Sequence, residues 1–336
     1  MPGKLSTIRD GINFLRTFSL QKLWNYSLLQ ASYLISLIRG KPLHGGMPVS
    51  VSVEPTTSCN LHCTECPSGL GKISRPSGTM SKRDFIKVID QLKKNLIYLI
   101  LYFQGEPFLN PDFFEMIRYA SKNRVYTATS TNGHYLDDDN AKQLVRTGLD
   151  RLIISLDGTD QDTYEQYRRG GDIQKVLSGI NNVVKWKKEL RSSRPFLIIQ
   201  FLVFKHNEHQ IKDIKRLTKE LGVRFELKTA QVYDHENDTL MIPENSKFSR
   251  YKRGEDGKWA LKKPIRNRCP RMWDGAVITW DGRVVPCCFD KDATYQLGKL
   301  DNQPFKEIWK GKAYKDFRKQ IFTDRSKIDI CRNCTQ

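Results

Sequence analysis

Eight cysteines in two tight groups constrain this chain more than any other feature. They stand at 59, 63, 66, 269, 287, 288, 331 and 334, and the 202 residues between Cys66 and Cys269 hold none. A secreted disulfide framework belongs to a short, loop-rich chain, whereas this one has 336 residues. Grouped cysteines without that setting read as metal sites in a reducing compartment. No signal-peptide pattern opens the chain, where Lys4, Arg9, Asp10 and Arg16 interrupt the first residues. No apolar run of about 18 residues exists, so a spanning helix is not expected. The expected setting is cytoplasmic.

Between the two groups, strand-like and helix-like segments alternate from about residue 49 to 228. Strands are expected over 49–54, 96–103, 126–131, 152–155, 196–203 and 224–227. Leu96–Phe103 is nearly all apolar, as a strand covered on both faces should be. Ser81 with Asp84 opens a helix as a capping-box variant, and Phe85, Val88, Ile89 and Leu92 mark its apolar face. Asn110-Pro111 reads as the N-cap and first residue of a helix to about Asn123. Further helices are expected over Asp137–Thr147 and Glu208–Leu221, stopped by Gly148 and Gly222.

Six such β/α units imply a parallel sheet with right-handed crossovers. Periodicity does not choose between an open doubly wound sheet and a partial barrel. In both, the ligand lies at the C-terminal ends of the strands. Gln104-Gly105-Glu106-Pro107, Thr131-Asn132-Gly133 and Ser155-Leu156-Asp157-Gly158 all follow strands, as does the first cysteine group.

That group, Cys59, Cys63 and Cys66, has the spacing C-x3-C-x2-C. A tetrahedral structural zinc wants four ligands, and the nearest candidate for a fourth is His62, inside the spacing. Three thiolates can instead hold a [4Fe–4S] cube and leave one iron open to a ligand from outside the protein. A zinc knuckle or three free thiols are the alternatives.

Cys59-Asn60-Leu61-His62-Cys63-Thr64-Glu65-Cys66 after the first strand resembles the radical S-adenosylmethionine (SAM) superfamily. The resemblance implies a partial (β/α)6 barrel, with SAM chelated at the open iron and cleaved reductively to a hydrogen-abstracting 5′-deoxyadenosyl radical. It also implies a flavodoxin- or ferredoxin-type electron donor. Gln104-Gly105-Glu106-Pro107 is similar to the family's Gly-Gly-Glu-Pro motif, which implies that Gly105 and Glu106 meet the SAM amino group. By the same resemblance Ser155 and Asp157 face the SAM ribose or carboxylate. Arg168, or Arg169 beside it, meets the carboxylate, a bidentate contact that suits a guanidinium. Relatives commonly place an aromatic residue before the third cysteine, against adenine, and here that residue is Glu65.

Cys269, Cys287, Cys331 and Cys334 are spaced C-x17-C-x43-C-x2-C. Four thiolates close either a structural zinc or a fully ligated [4Fe–4S] site. Cys269-Pro270, Trp273, Asp281-Gly282, Val285-Pro286-Cys287-Cys288, Gly298, Ile308-Trp309, Arg318 and Cys331-x2-Cys334 resemble the SPASM extension in its shortened, one-cluster twitch form. That implies a small α+β domain holding an auxiliary [4Fe–4S] cluster. Cys288 is left over as a spare thiol, an alternative ligand or a catalytic group. The extension has too few cysteines for the two extra clusters of the better-known peptide-modifying relatives. Cys288 also stands where sulfatase-maturing members carry an acid.

The expected organisation is an arm over 1–46, a core over 47–228, a basic linker over 229–268 and the cysteine domain over 269–336. Phe18–Ile38 is rich in Leu, Ile, Trp and Tyr, with Lys22, Arg39 and Lys41 on or beside it. A basic amphipathic helix of this kind lies in a membrane interface or packs on the barrel, and packing is the preferred expectation. Residues 247–268 carry nine Lys or Arg against Glu255 and Asp256, as a solvated linker or a cover for the substrate opening. The formal net charge of +19 favours an anionic partner, but no nucleic-acid motif accompanies it. The expected function is radical-based oxidation or modification of a sugar or polyol. The alternatives are a peptide maturase and, outside enzymes, a zinc-stabilised binding protein.

Overall fold

The computed structural model describes residues 2–238 and 240–335. Two helices, α1 (Pro2–Leu15) and α2 (Leu20–Arg39), precede strand β1 (Ser50–Val53). Then α3 (Lys82–Leu92), β2 (Tyr98–Ile100), α4 (Phe113–Lys122), β3 (Tyr126–Thr131), α5 (Asp138–Thr147) and β4 (Arg151–Ser155) alternate. The pattern continues through α6 (Gln161–Tyr167), α7 (Ile173–Glu189), β5 (Phe196–Val203), α8 (Ile211–Glu220) and β6 (Arg224–Thr229). A hairpin of β7 (Tyr251–Arg253) and β8 (Trp259–Leu261) follows. The chain ends with α9 (Arg271–Asp274), β9 (Gly275–Ile278), β10 (Arg283–Val285), β11 (Gly298–Lys299), α10 (Phe305–Lys310) and α11 (Lys312–Asp324).

Strands β1 to β6 pair in sequence order, all parallel. The sheet order β11-β10-β9-β1-β2-β3-β4-β5-β6 leaves β6 unpaired with β1, so the barrel is partial and open. Val51 and Val53 of β1, Leu99 of β2 and Ile154 of β4 bury against Ile89, Met116, Leu144 and Ile180 of the surrounding helices. The alternate residues face the lumen. The cysteine extension does not hang from this sheet as a separate layer. Its strand β9 pairs parallel with β1, from Ser50↔Gly275 to Val53↔Ile278, and β10 and β11 continue antiparallel.

Capping follows the sequence closely at α3, where the Ser81 side chain accepts from Asp84 N–H. Asp137 does the same for α5, and Gly148 ends that helix with φ +85°. Two expectations shift. Strand β2 is confined to Tyr98–Ile100, because Phe103 turns away to pack with Val277, Val285 and Ala293 of the extension. Asn110 does not cap α4, which Asp112 precedes. The Asn110 amide instead donates to the carbonyls of Pro55 (2.8 Å) and Met80 (2.9 Å), tying two loops under the site.

Glu54, fully buried at the end of β1, holds the joint between core and extension. Arg75 reaches it from the long loop at 2.5 and 2.8 Å, and Trp280 N–H of the β9–β10 turn donates to it at 3.2 Å. Burial pushes the Glu54 carboxyl up, and the Arg75 guanidinium opposes that push. Removing one partner of a buried pair strands the other charge, at a cost of about 3–5 kcal/mol. Arg75→Met should therefore lower unfolding stability by about that amount in urea titration, and Glu54→Gln/Arg75→Met should recover most of it. Equal instability of the single and double variants would contradict this account.

Candidate functional site

The first cysteine loop lies on the C-terminal ends of β1 to β4. Gly105 has φ +73°, and a Cβ there would meet the carbonyl oxygens of Thr56 at 2.4 Å and Ser58 at 2.7 Å. Only glycine lets the strand-two turn lie flat on the main chain before Cys59. Glu106 N–H then donates to Ser58 O at 2.7 Å. From the other side, His62 N–H and Thr64 N–H donate to the carbonyls of Arg169 (3.0 Å) and Tyr167 (3.2 Å). Asn132 of the third strand end donates to the Asn60 side chain at 2.8 Å. Ser68 donates to Gln104 at 2.7 Å, which gives the glutamine a role where the family motif has glycine.

Glu106 is 2% exposed. Its carboxylate accepts from Thr131 Oγ1 (2.8 Å), Asn132 N–H (2.8 Å) and Phe108 N–H (3.3 Å). Burial nevertheless raises its pKa to about 7, with those hydrogen bonds opposing. A carboxylate so placed favours any N–H donor that reaches it. Asp157 is fully buried, with one oxygen accepting from Arg168 (2.6 Å) and the other from Leu202 N–H (2.7 Å). Both its oxygens are engaged within the protein, so its effect on a ligand passes through Arg168. Arg168 also points Nη1 at Cys63 Sγ, 3.8 Å away, whereas the Arg169 side chain is exposed. Ser155 ends β4, nearly buried.

Cys63 is buried, Cys66 half-buried and Cys59 exposed, and His62, between Cys59 and Cys63, is exposed as well. Although Cys59 is solvent-accessible, desolvation by the surrounding loop pushes its thiol up to about 11, so metal must displace a proton there. Among the described residues no three His, Cys, Asp or Glu side chains gather tightly enough for a single metal ion. An iron–sulfur cube is wider than one ion and holds its thiolates apart by its own width. The loop thus offers sulfur donors and a nearby guanidinium, while its carboxylate, Glu65, is taken up by Tyr233 N–H, a set that fits a cube.

At the second site Cys269, Cys331 and Cys334 are buried around Arg325, itself 1% exposed, whose Nη2 lies 3.0 Å from Cys334 Sγ. A buried cation among sulfurs requires negative charge on them. Thiolates around an iron–sulfur core supply it, and the residues fit that group. Cys287 is half-buried beside them, and desolvation pushes its thiol well up. Cys288 is exposed and turns elsewhere. It lies within electrostatic range of Tyr102, Lys228 and Tyr233.

Sequence reasoning missed two features. Gly69 folds back onto the loop so closely that a Cβ would lie 2.5 Å from Cys63 N. The span Val232–Tyr233 in the basic linker touches both cysteine loops. Tyr233 N–H donates to Glu65 at 2.9 Å, and Val232 O accepts from Asn333, between Cys331 and Cys334, at 2.8 Å. The linker is packed here: Tyr251 of β7 donates its hydroxyl to Asn333 at 2.8 Å. No local pattern announces either contact.

Comparison with known proteins places these residues in context. The radical SAM superfamily model matches residues 53–224, and the SPASM iron–sulfur cluster-binding domain matches 269–335. The chain is 27% identical over 319 residues to the tungsten-containing aldehyde ferredoxin oxidoreductase cofactor-modifying protein of Pyrococcus furiosus, covering 84% of this chain and 86% of that one. It is 28% identical over 180 residues to the mycofactocin maturase MftC of Mycobacterium ulcerans, spanning 54% of this chain and 47% of that protein. Among solved structures it resembles BtrN in complex with AdoMet and 2-DOIA (TM-score 0.54, 18% identity, 88% of this chain and 95% of that one). Streptococcus suis SuiB bound to S-adenosylmethionine is similar in fold as well (TM-score 0.63, 13% identity, 86% and 71%).

Gly69→Ala should cut the iron retained at the first site after anaerobic reconstitution and leave the second site's iron in place. Iron per chain, measured beside a Cys59→Ala/Cys63→Ala/Cys66→Ala control, checks this, and full retention would show that the fold-back is dispensable. With both models matched on the segments that build these two sites, the chain belongs to the radical SAM superfamily and is an enzyme with a SAM-binding [4Fe–4S] cluster and a SPASM auxiliary iron–sulfur cluster.

Proposed function

We propose that the enzyme abstracts a hydrogen atom from a polyhydroxylated small molecule, a sugar or related polyol, and completes a two-electron oxidation. Cys59, Cys63 and Cys66 would hold the SAM-binding cluster, and Cys269, Cys287, Cys331 and Cys334 the auxiliary one. Gly105 lets the turn approach, Glu106 takes N–H bonds from the SAM amino group, and Arg168 takes its carboxylate, positioned by Asp157. Ser155 stands at the ribose side. When bound, the reduced cluster supplies the electron that cleaves SAM and so yields the radical that takes the hydrogen.

The polarity of the upper lumen carries the substrate reading. Tyr102, Ser130, Ser155, Gln200 and Lys228 occupy inward positions near the strand ends, with Ser155↔Gln200 in register. Hydroxyl, amide and ammonium groups lining one mouth suit a ligand rich in hydroxyls. Loss of a hydrogen atom, a proton and one further electron turns an alcohol carbon into a carbonyl. The proton has Lys228 within the site, its pKa lowered by burial, and the electron has the auxiliary site. A flavodoxin- or ferredoxin-type donor for the first electron suits the net charge of +19. A peptide substrate is the second reading, supported by the maturase among the relatives and by SuiB solved with its precursor peptide.

Reconstituted protein should carry two four-iron clusters, about eight irons per chain, falling to about four in the triple cysteine variant. Glu106→Gln should weaken SAM binding. It should also remove the component of its pH dependence centred near 7, since below that pH the wild-type carboxyl is protonated and lacks the negative charge that favours an N–H donor. Reduced enzyme incubated with deuterated cell-extract fractions should transfer label into 5′-deoxyadenosine from the sugar and polyol fraction. Label arising only from peptide fractions would overturn the substrate reading in favour of the second.

A further inference from the structure

The arm packs on the barrel with its polarity inverted. On α2 the buried positions are Lys22, Asn25, Leu29, Ser32 and Ser36, spaced as one helix face and polar at four of five sites. Lys22 Nζ donates to Arg124 O at 2.6 Å, and Asn25 exchanges two 2.8 Å hydrogen bonds with the Met47 main chain. Ser36 Oγ accepts from Leu43 N–H at 2.8 Å. On α1, Asp10 is buried in contact with Arg151 and Tyr126. These bonds fix which face of each helix turns inward.

The outward face is therefore apolar. Leu20 is 87% exposed, Trp24 68% and Ile38 78%, with Leu34 beside them. On α1, Ile8, Ile12 and Leu15 are exposed at i, i+4 and i+7. A surface helix of a globular protein shows the opposite arrangement, and a contiguous exposed apolar patch marks an interaction site.

The surrounding charge selects the partner. Residues 1–46 contain six Lys or Arg and a single acid, Asp10, which is the buried one. Arg9 and Arg16 share a concavity with Lys187, Lys188 and Arg191, and Ile12 of the apolar ridge lines it too. Arg9, Arg16, Lys188 and Arg191 are exposed and form no ion pair among the described residues. A second copy of this face would set like charge against like. An anionic lipid surface matches both features, with acyl chains for the ridge and phosphates for the cations.

We propose that α1 and α2 form an in-plane docking surface for an anionic membrane, on the side of the barrel opposite the cysteine loops. No helix of the described chain is long and apolar enough to cross a membrane, so the contact is peripheral. The placement follows from the contacts of the arm: Leu29 packs on Val49 and Ile97, which lead into β1 and β2, and Lys22 meets Arg124, just before β3.

The test uses the full-length, anaerobically purified enzyme and vesicles of equimolar phosphatidylglycerol and phosphatidylcholine, or of phosphatidylcholine alone. Co-sedimentation with the anionic vesicles is expected, with a blue shift of Trp24 emission that Trp24→Phe removes. Leu20→Gln/Trp24→Gln/Ile38→Gln and, separately, Arg9→Gln/Arg16→Gln/Lys188→Gln/Arg191→Gln should each weaken binding roughly tenfold or more. Circular dichroism and iron content of both variants should match the parent, which separates lost docking from lost folding. Absence of sedimentation with either vesicle, or binding indifferent to both variant sets, would overturn the proposal. So would a vesicle-free dimer that the Leu20/Trp24/Ile38 variant dissolves, since the face would then belong to a second copy.

Discussion

The ladder between β1 and β9 joins Ser50 to Gly275 and keeps that register to Val53 and Ile278, across more than 200 residues of intervening chain. Both metal sites depend on it. The first cysteine loop leaves the end of β1, and the second site gathers Cys269 just before β9 and Cys287 just after β10. Had the extension packed as an independent layer, the separation of the sites would follow a flexible linker. A shared sheet makes it a property of hydrogen-bond register. The buried Glu54–Arg75 pair sits at the end of the same ladder, where Trp280 also binds it.

Within that frame the first loop is positioned chiefly by main chain. Gly105 lies against Thr56 and Ser58, and the segment 167–169 pairs with His62 and Thr64. Side chains then add charge: Glu106 on one side, Arg168 on the other, with Asp157 behind the guanidinium. Glu106 and Arg168 form no ion pair with each other, since Arg168 has its own carboxylate partner in Asp157.

What was readable in the sequence was local. The cysteine spacings, the strand ends and the helix faces at Phe85–Leu92 and Asp137–Thr147 repeat over a few residues, and periodicity and capping reach that far. The longer-range features were not readable in this way. Asn110 has the local look of an N-cap but is drawn to Pro55 and Met80 by loops distant in sequence. Gly69 is an ordinary loop glycine until Cys63 is seen against it. The pairing of β9 with β1 has no signature in either strand. The arm was recognised as amphipathic, but only the structure shows that its polar stripe faces the protein.

The two residues Val232 and Tyr233 give the linker a significance its basic composition conceals. Their main chain holds the loop of Cys63 and Cys66 through Glu65, and the loop of Cys331 and Cys334 through Asn333. One short stretch of backbone thereby couples the order of both loops. The two loops are thus tied to one another twice, by this stretch of backbone and by the β1–β9 ladder, so their spacing is set by main chain at both places.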